Sequence, residues 1–338
     1  MSSSRLRGRK VLFIGGTGRI SSACSRRAVE LGADLHLLNR GVSSARPAPE
    51  GATVIAADIH DTDGVRAALK GQEFDVVVDF LGFTPEHVAR DVELFGGRTG
   101  QYVFISSASV YRKPSTCLPV VESVPLENPY SAYARDKIAC EELLARAHHA
   151  ERFPVTVVRP SHTYDRTAVP FDGGWTVVER MRRGKEVLVH GDGTSLWTLT
   201  HHTDFAVGFT GLLGHPEALG ETFHLTGDEV LSWDQIYRTV AGAAGVEEPR
   251  LVHVPSDAIA AYDARWGEEL LGDKAHTMVF DNSKVRRVVP EFTPSVPFSH
   301  GAREIVEWFD ADPARRTVHE RLDALMDRLT DTHRPRPS

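Results

Sequence analysis

Cysteine is scarce in this chain. Cys24, Cys117 and Cys140 are odd in number and widely spaced among 338 residues, with no CxxC pair. That excludes a disulfide framework and a thiolate metal knuckle, and it suits reduced thiols in a cytoplasmic setting. Long apolar runs are missing too: the longest early one, "VLFIGG", is far short of the ~20 residues that cross a bilayer. No membrane partner is expected. A basic excess is also absent, since 39 Lys and Arg stand against 46 Asp and Glu, a formal charge of −7. Such a balance gives no general attraction to nucleic acid or to an anionic surface. No repeat period or low-complexity tract interrupts the chain. "MSSSRLRGRK" and "DTHRPRPS" carry no periodicity, so 1–9 reads as a disordered leader and 331–338 as a tail.

What the chain has is a regular alternation. The β-rich runs "KVLFIG", "ADLHLL", "TVIAAD", "DVVVDF", "QYVFIS" and "VTVVRP" are separated by helical patterns at 18–32, 63–71, 85–95 and 131–150. Strands alternating with helices argue for an α/β fold with a parallel sheet covered on both faces. With 41% apolar residues there is ample material for its core. After about residue 160 the pattern loosens into Gly-, Pro- and aromatic-rich stretches such as "VPFDGGW" and "HGDGTSLW". Helical patterns at 232–244, 256–271, 298–309 and 314–330 follow. The expected division is a dinucleotide-binding domain at 10–165, rejoined by parts of 199–245, and a smaller cap from 166–198 and 246–330.

"VLFIGGTGRIS" is an apolar strand that runs through glycines into a helix, the setting that gives a Gly-rich motif its meaning. Gly15 suits the tight turn and Gly18 the close approach of a pyrophosphate, which the helix N-terminus would attract. Thr17, Arg19 and Ile20 belong to the same turn. Ser21 replaces the third glycine, whose part is close packing of helix on strand. At the end of the second strand, Asn39 and Arg40 stand where an acid would bind the ribose hydroxyls of NAD. Losing that carboxylate and gaining a guanidinium favours the 2′-phosphate of NADP. Asp58 and Ile59, after the third strand, are expected against the adenine, and Pro160 closes the sixth strand beside the cofactor.

Ser107, at the carboxyl end of the fifth strand in "YVFISSASVY", precedes Tyr133 and Lys137 in "YSAYARDK". At i and i+4 the phenol and ammonium share one helical face. A neighbouring positive charge favours phenolate and is expected to bring Tyr133 down from its usual ~10. Such a tyrosine can exchange a proton with a substrate hydroxyl while hydride moves at the carbon.

Together "GGTGRIS", "ISSASVY", "YARDK", "VTVVRPSHTYDR", "GDGTSLWTLTHHTD" and "FDNSK" make residues 10–310 resemble the extended short-chain dehydrogenase/reductase family, the nucleotide-sugar epimerase/dehydratase group. The resemblance implies a Rossmann-type doubly wound parallel sheet with a smaller C-terminal α/β substrate-binding cap. It places the family's catalytic serine, tyrosine and lysine on Ser107, Tyr133 and Lys137, and it implies a homodimer through the helix that holds the last two. Family dehydratases carry an Asp–Glu pair after the catalytic hydroxyl residue. Ala108 and Ser109 stand there, and neither can act as a general acid or base, which disfavours dehydration.

The family's three grips on a substrate diphosphate also look changed. His162 replaces an asparagine, Trp197 replaces an arginine, and a second arginine falls near Leu271, although Arg265 and Lys274 lie close by. The reading is therefore an NAD(P)-dependent epimerase of a sugar-like small molecule, a nucleoside, sugar or glycone without the diphosphate grip. An epimerase that retains its cofactor would hold NAD. The alternatives are an NADPH-dependent reductase of a small carbonyl, a conventional nucleotide-sugar epimerase, and a non-catalytic RNA-binding relative. Phe83, Ser109, His162, Tyr164, Trp175, Trp197 and His201 are the candidate substrate contacts. No metal site is expected, because His201 and His202 read as neighbours on a strand, which face opposite ways.

Overall fold

The computed structural model describes residues 5–40 and 46–334; positions 1–4 and 335–338, the outer parts of the expected leader and tail, lie outside the described residues. The first half builds strands β1 (Lys10–Ile14), β2 (Asp34–Asn39), β3 (Thr53–Ala56), β4 (Phe74–Asp79), β5 (Thr99–Ile105) and β6 (Val155–Pro160). Between them lie helices α1 (Ser21–Glu30), α2 (Thr62–Ala68), α3 (Pro85–Phe95) and α4 (Ala132–Glu151). The second half has strands β7 (His162–Tyr164), β8 (Glu186–His190), β9 (Leu196–Trp197), β10 (Leu199–His201), β11 (Thr222–Leu225), β12 (Leu231–Ser232) and β13 (Arg250–Val254). Its helices are α5 (Trp175–Arg182), α6 (His202–Leu212), α7 (Trp233–Ala243), α8 (Ser256–Tyr262), α9 (Ala264–Glu269), α10 (Ser283–Val288), α11 (Phe298–Asp310) and α12 (Glu320–His333).

Seven strands form one parallel sheet in the order β11-β6-β5-β4-β1-β2-β3. Val11 to Ile14 are fully buried because β1 is central and covered on both faces, which is why its sequence is an unbroken apolar run. Leu12, Ile14 and Val77 face one side, with Val65, Val88 and Leu144 of α2, α3 and α4. Phe13, Val76 and Val78 face the other, with Ala28 of α1 and Phe205 and Phe209 of α6. The chain reverses its order of strand addition between β1 and β4, so the crevice at their carboxyl ends is the natural ligand position. The cap has its own core around Trp233, Val240, Ile259 and Ile305. Two short strands, β8 and β13, pair in parallel within the cap.

Several expectations are corrected. Residues 5–9 are packed: Leu6 is 1% exposed, Arg5 donates to the Gly211 carbonyl at 3.4 Å, and the Arg9 Nε donates to the Arg5 carbonyl at 2.8 Å. The helix expected at 256–271 is two helices. Asp263 breaks it, because its carboxylate accepts from the Trp266 amide at 3.0 Å and starts α9 afresh. The last helix begins at Glu320 and runs to His333, inside the expected tail. Replacing Leu6 by Ala should lower unfolding free energy by about 2 kcal/mol, read by denaturant titration. An unchanged midpoint would show that the segment is not held.

Candidate active site

The loop after β1 is built for close approach. Gly15 has φ +85°, a region that favours glycine, and a Cβ there would lie 2.6 Å from Leu81 Cγ. Ser21 does more than pack: its hydroxyl accepts from the Gly18 amide at 2.8 Å and donates to the Gly15 carbonyl at 2.6 Å, closing the loop. A cavity of about 440 Å³ opens beside it. Gly15, Thr17 and Gly18 form one end, and Asn39, Arg40, Asp58 and Ile59 the other. Its shape and glycine wall fit the adenosine half of a dinucleotide. Two of the expected cofactor residues lie elsewhere: Ile20 packs into the core below, and Arg19 lines a cleft in the cap. Arg46, missed in the sequence, lines the adenosine cavity and reaches the cap, where its Nε donates to Asp165 at 2.9 Å and its NH2 to the Thr167 hydroxyl at 2.8 Å.

At the carboxyl ends of β4 and β5 the triplet assembles. α4 starts where the Ser131 hydroxyl accepts from the Ala134 amide at 3.2 Å, and Tyr133 and Lys137 follow on one face. Ser107 hydrogen-bonds Tyr133 and the Ser109 hydroxyl at 2.8 Å. Lys137, only 2% exposed, donates to the carbonyls of Gly82 and Ile105, each at 2.7 Å. Burial brings its ammonium down to about 8, partly opposed by the charge of Asp79. The expected lowering of Tyr133 is not found. Tyr133 as a whole is 44% exposed, yet local desolvation pushes its phenol up to about 12 against the Ser107 hydrogen bond, and Lys137 Nζ stands 5.7 Å from the tyrosine ring centre with two protons given to carbonyls.

Pro160, Ser109, His162 and Trp197 join Ser107 around a pocket of about 100 Å³. Burial, with Lys274 and Arg19 nearby, drives His162 down to about 3, so it is a neutral ring. Beyond it lies a cleft of about 750 Å³ lined by Arg19, Trp175, Arg265, Trp266 and Arg315. Trp175 stacks on Phe309 with ring centres 4.7 Å apart. Lys274 is held by Asp172 and Glu269, each at 3.0 Å.

Four expected substrate contacts are not in the small pocket, and one of them, Trp175, lines the wide cleft instead. Phe83 lines the adenosine cavity, with its ring centre 5.1 Å from Lys137 Nζ. Tyr164 is a core aromatic against Phe298. His201 faces a separate cavity, with its nitrogens 2.6 Å from the Thr203 hydroxyl and 2.9 Å from Glu304. His201 ends β10 and His202 begins α6, so the two rings, 4.7 Å apart, do not alternate as on a strand. No group of three metal-ligating side chains occurs among the described residues.

Asn128 was also missed. Its amide donates to the carbonyls of Ser109 at 2.9 Å and Gly272 at 2.7 Å, while its oxygen accepts from the Ser131 amide at 3.0 Å. It thus ties pocket, cap and the start of α4 together, and an Asn two residues before "YSAY" has no periodic signature. In cofactor-free protein, the phenolate absorbance difference between wild type and Tyr133→Phe should titrate with a midpoint at about 12. A midpoint near neutrality would contradict the burial argument.

The model of the NAD dependent epimerase/dehydratase family matches residues 11–225. Over 257 residues the chain is 30% identical to the chloroplast stem-loop binding protein of 41 kDa b of Arabidopsis thaliana, covering 72% of this chain and 66% of that protein. It is 32% identical over 168 residues to the UDP-glucose 4-epimerase of Lactobacillus helveticus, covering 44% of this chain and 50% of that one. The matched stretch therefore spans just under two thirds of the first relative and half of the second. An epimerase structure from Methanothermobacter thermautotrophicus shares the fold with a TM-score of 0.75 at 17% identity, over 93% of this chain and 96% of its own. No helix among the described residues is long and apolar enough to cross a membrane. The family match runs from β1 to the edge strand β11, and the chain belongs to the NAD-dependent epimerase/dehydratase family of extended short-chain dehydrogenases/reductases.

Proposed function

We propose that the protein is an NAD(P)-dependent epimerase that oxidises and re-reduces one carbinol of a sugar-like substrate. The observation that carries this reading is Tyr133, beside Lys137 on α4 and hydrogen-bonded to Ser107, which itself lines the small pocket. Gly15, Thr17, Gly18 and Asn39 would hold the adenosine half of the cofactor, with Lys137 and Pro160 toward its other end. Bound NAD(P) would supply hydride exchange and, when oxidised, a positive ring charge that favours phenolate. Tyr133 Oη takes the proton from the substrate hydroxyl and returns it, and the Ser107 hydroxyl hydrogen-bonds the same oxygen. Ala108 and Ser109 supply no further acid or base, so elimination of water is not part of the cycle.

The substrate reading is a hydroxyl-rich molecule without a diphosphate in the small pocket. Trp197 fills the position of one expected arginine, and Lys274 already has two carboxylate partners. Trp197 offers that pocket an indole ring on which a sugar face can pack. Arg19 and Arg265 would be available to a charged group farther out in the cleft, whereas Arg315 is engaged by Trp308 and Asp312.

A second reading, an NADPH-dependent reductase, is favoured by Arg40 and Arg46 in the adenosine cavity, where a 2′-phosphate would pair with guanidinium. Stem-loop binding, the namesake property of one relative, finds no support in the net charge of −7.

Tyr133→Phe should cut turnover about 10²- to 10⁴-fold while cofactor affinity stays within a few-fold. Full activity in that variant would overturn the catalytic assignment. In calorimetry, UDP- and dTDP-sugars should bind weakly or not at all, and tight binding would overturn the substrate class.

A further inference from the structure

The small pocket beside Ser107 has one charged side chain in its wall. Asp273 lines it together with Ser109, Trp197 and Phe280, and His162, also in the wall, is a neutral ring. Asp273 belongs to a single wide helical turn, Leu270–Lys274, that follows α9, the kind of irregular turn that recurs at functional sites. Contacts on both sides of the aspartate hold this turn in place. The Lys274 carbonyl accepts from the Trp233 indole N–H at 3.0 Å and from the His190 ring at 3.1 Å. The Gly272 carbonyl accepts at 2.7 Å from Asn128, whose amide also donates to the Ser109 carbonyl. On α9, Glu268 accepts from the Ala132 amide at the start of α4. The segment that carries Asp273 is thus pinned to the loop of Ser109 and to the helix of Tyr133. Desolvation holds the proton on Tyr133, and the charge of Asp273 adds to it.

Lys113 decides which charge a ligand meets. Its Nζ stands 3.1 Å from Asp273 Oδ1 and donates to the carbonyls of Ser109 at 3.0 Å and Tyr111 at 3.2 Å. The lysine side chain is 2% exposed and the Asp273 side chain 29%. A molecule in the pocket therefore touches the carboxylate and not the ammonium. An ionised carboxylate only accepts hydrogen bonds, and those it accepts from hydroxyls are charge-assisted. A second anion brought against it is repelled. Among the described residues, no Lys or Arg lines this pocket to offset that repulsion. We propose that Asp273 is a specificity-determining residue: its carboxylate accepts from hydroxyls on the ring edge beside the reacting carbinol, so the pocket selects a neutral polyhydroxylated ring and rejects one bearing a carboxylate there, as a uronic acid does.

The inference rests on the sugar-like substrate proposed above and narrows its class. Its test is equilibrium binding, whereas the reaction is tested by turnover in Tyr133→Phe, so the two can fail separately. Saturation-transfer NMR on the full-length protein would compare methyl glucoside and methyl galactoside, as neutral probes, with the corresponding methyl glucuronide and galacturonide. Wild type should bind at least one neutral probe at least about tenfold more tightly than its uronide. Asp273→Asn keeps the shape, removes the charge and leaves Lys113 as the local cation, so that preference should shrink to parity or reverse. A role confined to holding the cap would weaken all four probes alike and keep the ratio. An unchanged ratio in Asp273→Asn overturns the proposal. So does wild-type protein that binds the uronides as well as the neutral probes, or that binds none of the four. Should Asp273→Asn fail to fold, Asp273→Ser, which also removes the charge, carries the same comparison, and the wild-type ratio still stands as a test by itself.

Discussion

Lys137 Nζ joins three elements at one point: α4, which carries it, and the carboxyl ends of β4 and β5, whose last turns offer the Gly82 and Ile105 carbonyls. Both carbonyls leave the sheet where its hydrogen-bond ladder ends, and a buried carbonyl without a donor is unfavourable. The lysine satisfies them, and in doing so it fixes the height of α4 against the sheet. Tyr133 follows, because it lies one turn earlier on the same face. Ser107 lies two residues beyond Ile105, so the same bond sets its distance from the phenol. The glycine loop faces this assembly across β1, next to β4 in the sheet. One buried cation thus ties α4, with Tyr133, to the ends of β4 and β5.

That cation also bears on the charge state of the site. Two of its three protons are given to carbonyls, and desolvation outweighs the Ser107 hydrogen bond at the phenol, so Tyr133 stays protonated. On the proposed reading, a protonated tyrosine would donate to a ketone oxygen, and a bound oxidised cofactor would add the charge that makes phenolate accessible. The division of space fits this economy of charge: a small neutral pocket with His162 and Trp197 at the reacting end, and a wide cleft with arginines farther out.

The fold was legible because parallel strands buried on both faces must be apolar throughout, as in "KVLFI" and "DVVVD". The triplet was legible because i, i+4 spacing on a helix and a serine at a strand end are local patterns. What stayed hidden depends on contacts between distant segments. Arg46 reaches Asp165 across 119 positions and Asn128 reaches Gly272 across 144, and neither pairing leaves a period. Tyr164 and His201 sit in matching motifs, yet packing against α11 turns both away from the pocket. Arg19 lies in the glycine turn but lines the cap cleft instead.

The central claim is a site that oxidises and re-reduces with a cofactor kept in place. The most direct measurement is to purify the protein without added nucleotide, denature it, and identify and quantify what is released. The account predicts close to one NAD⁺ or NADP⁺ per chain. Empty protein that binds and releases NADPH freely would contradict it and make the protein a reductase.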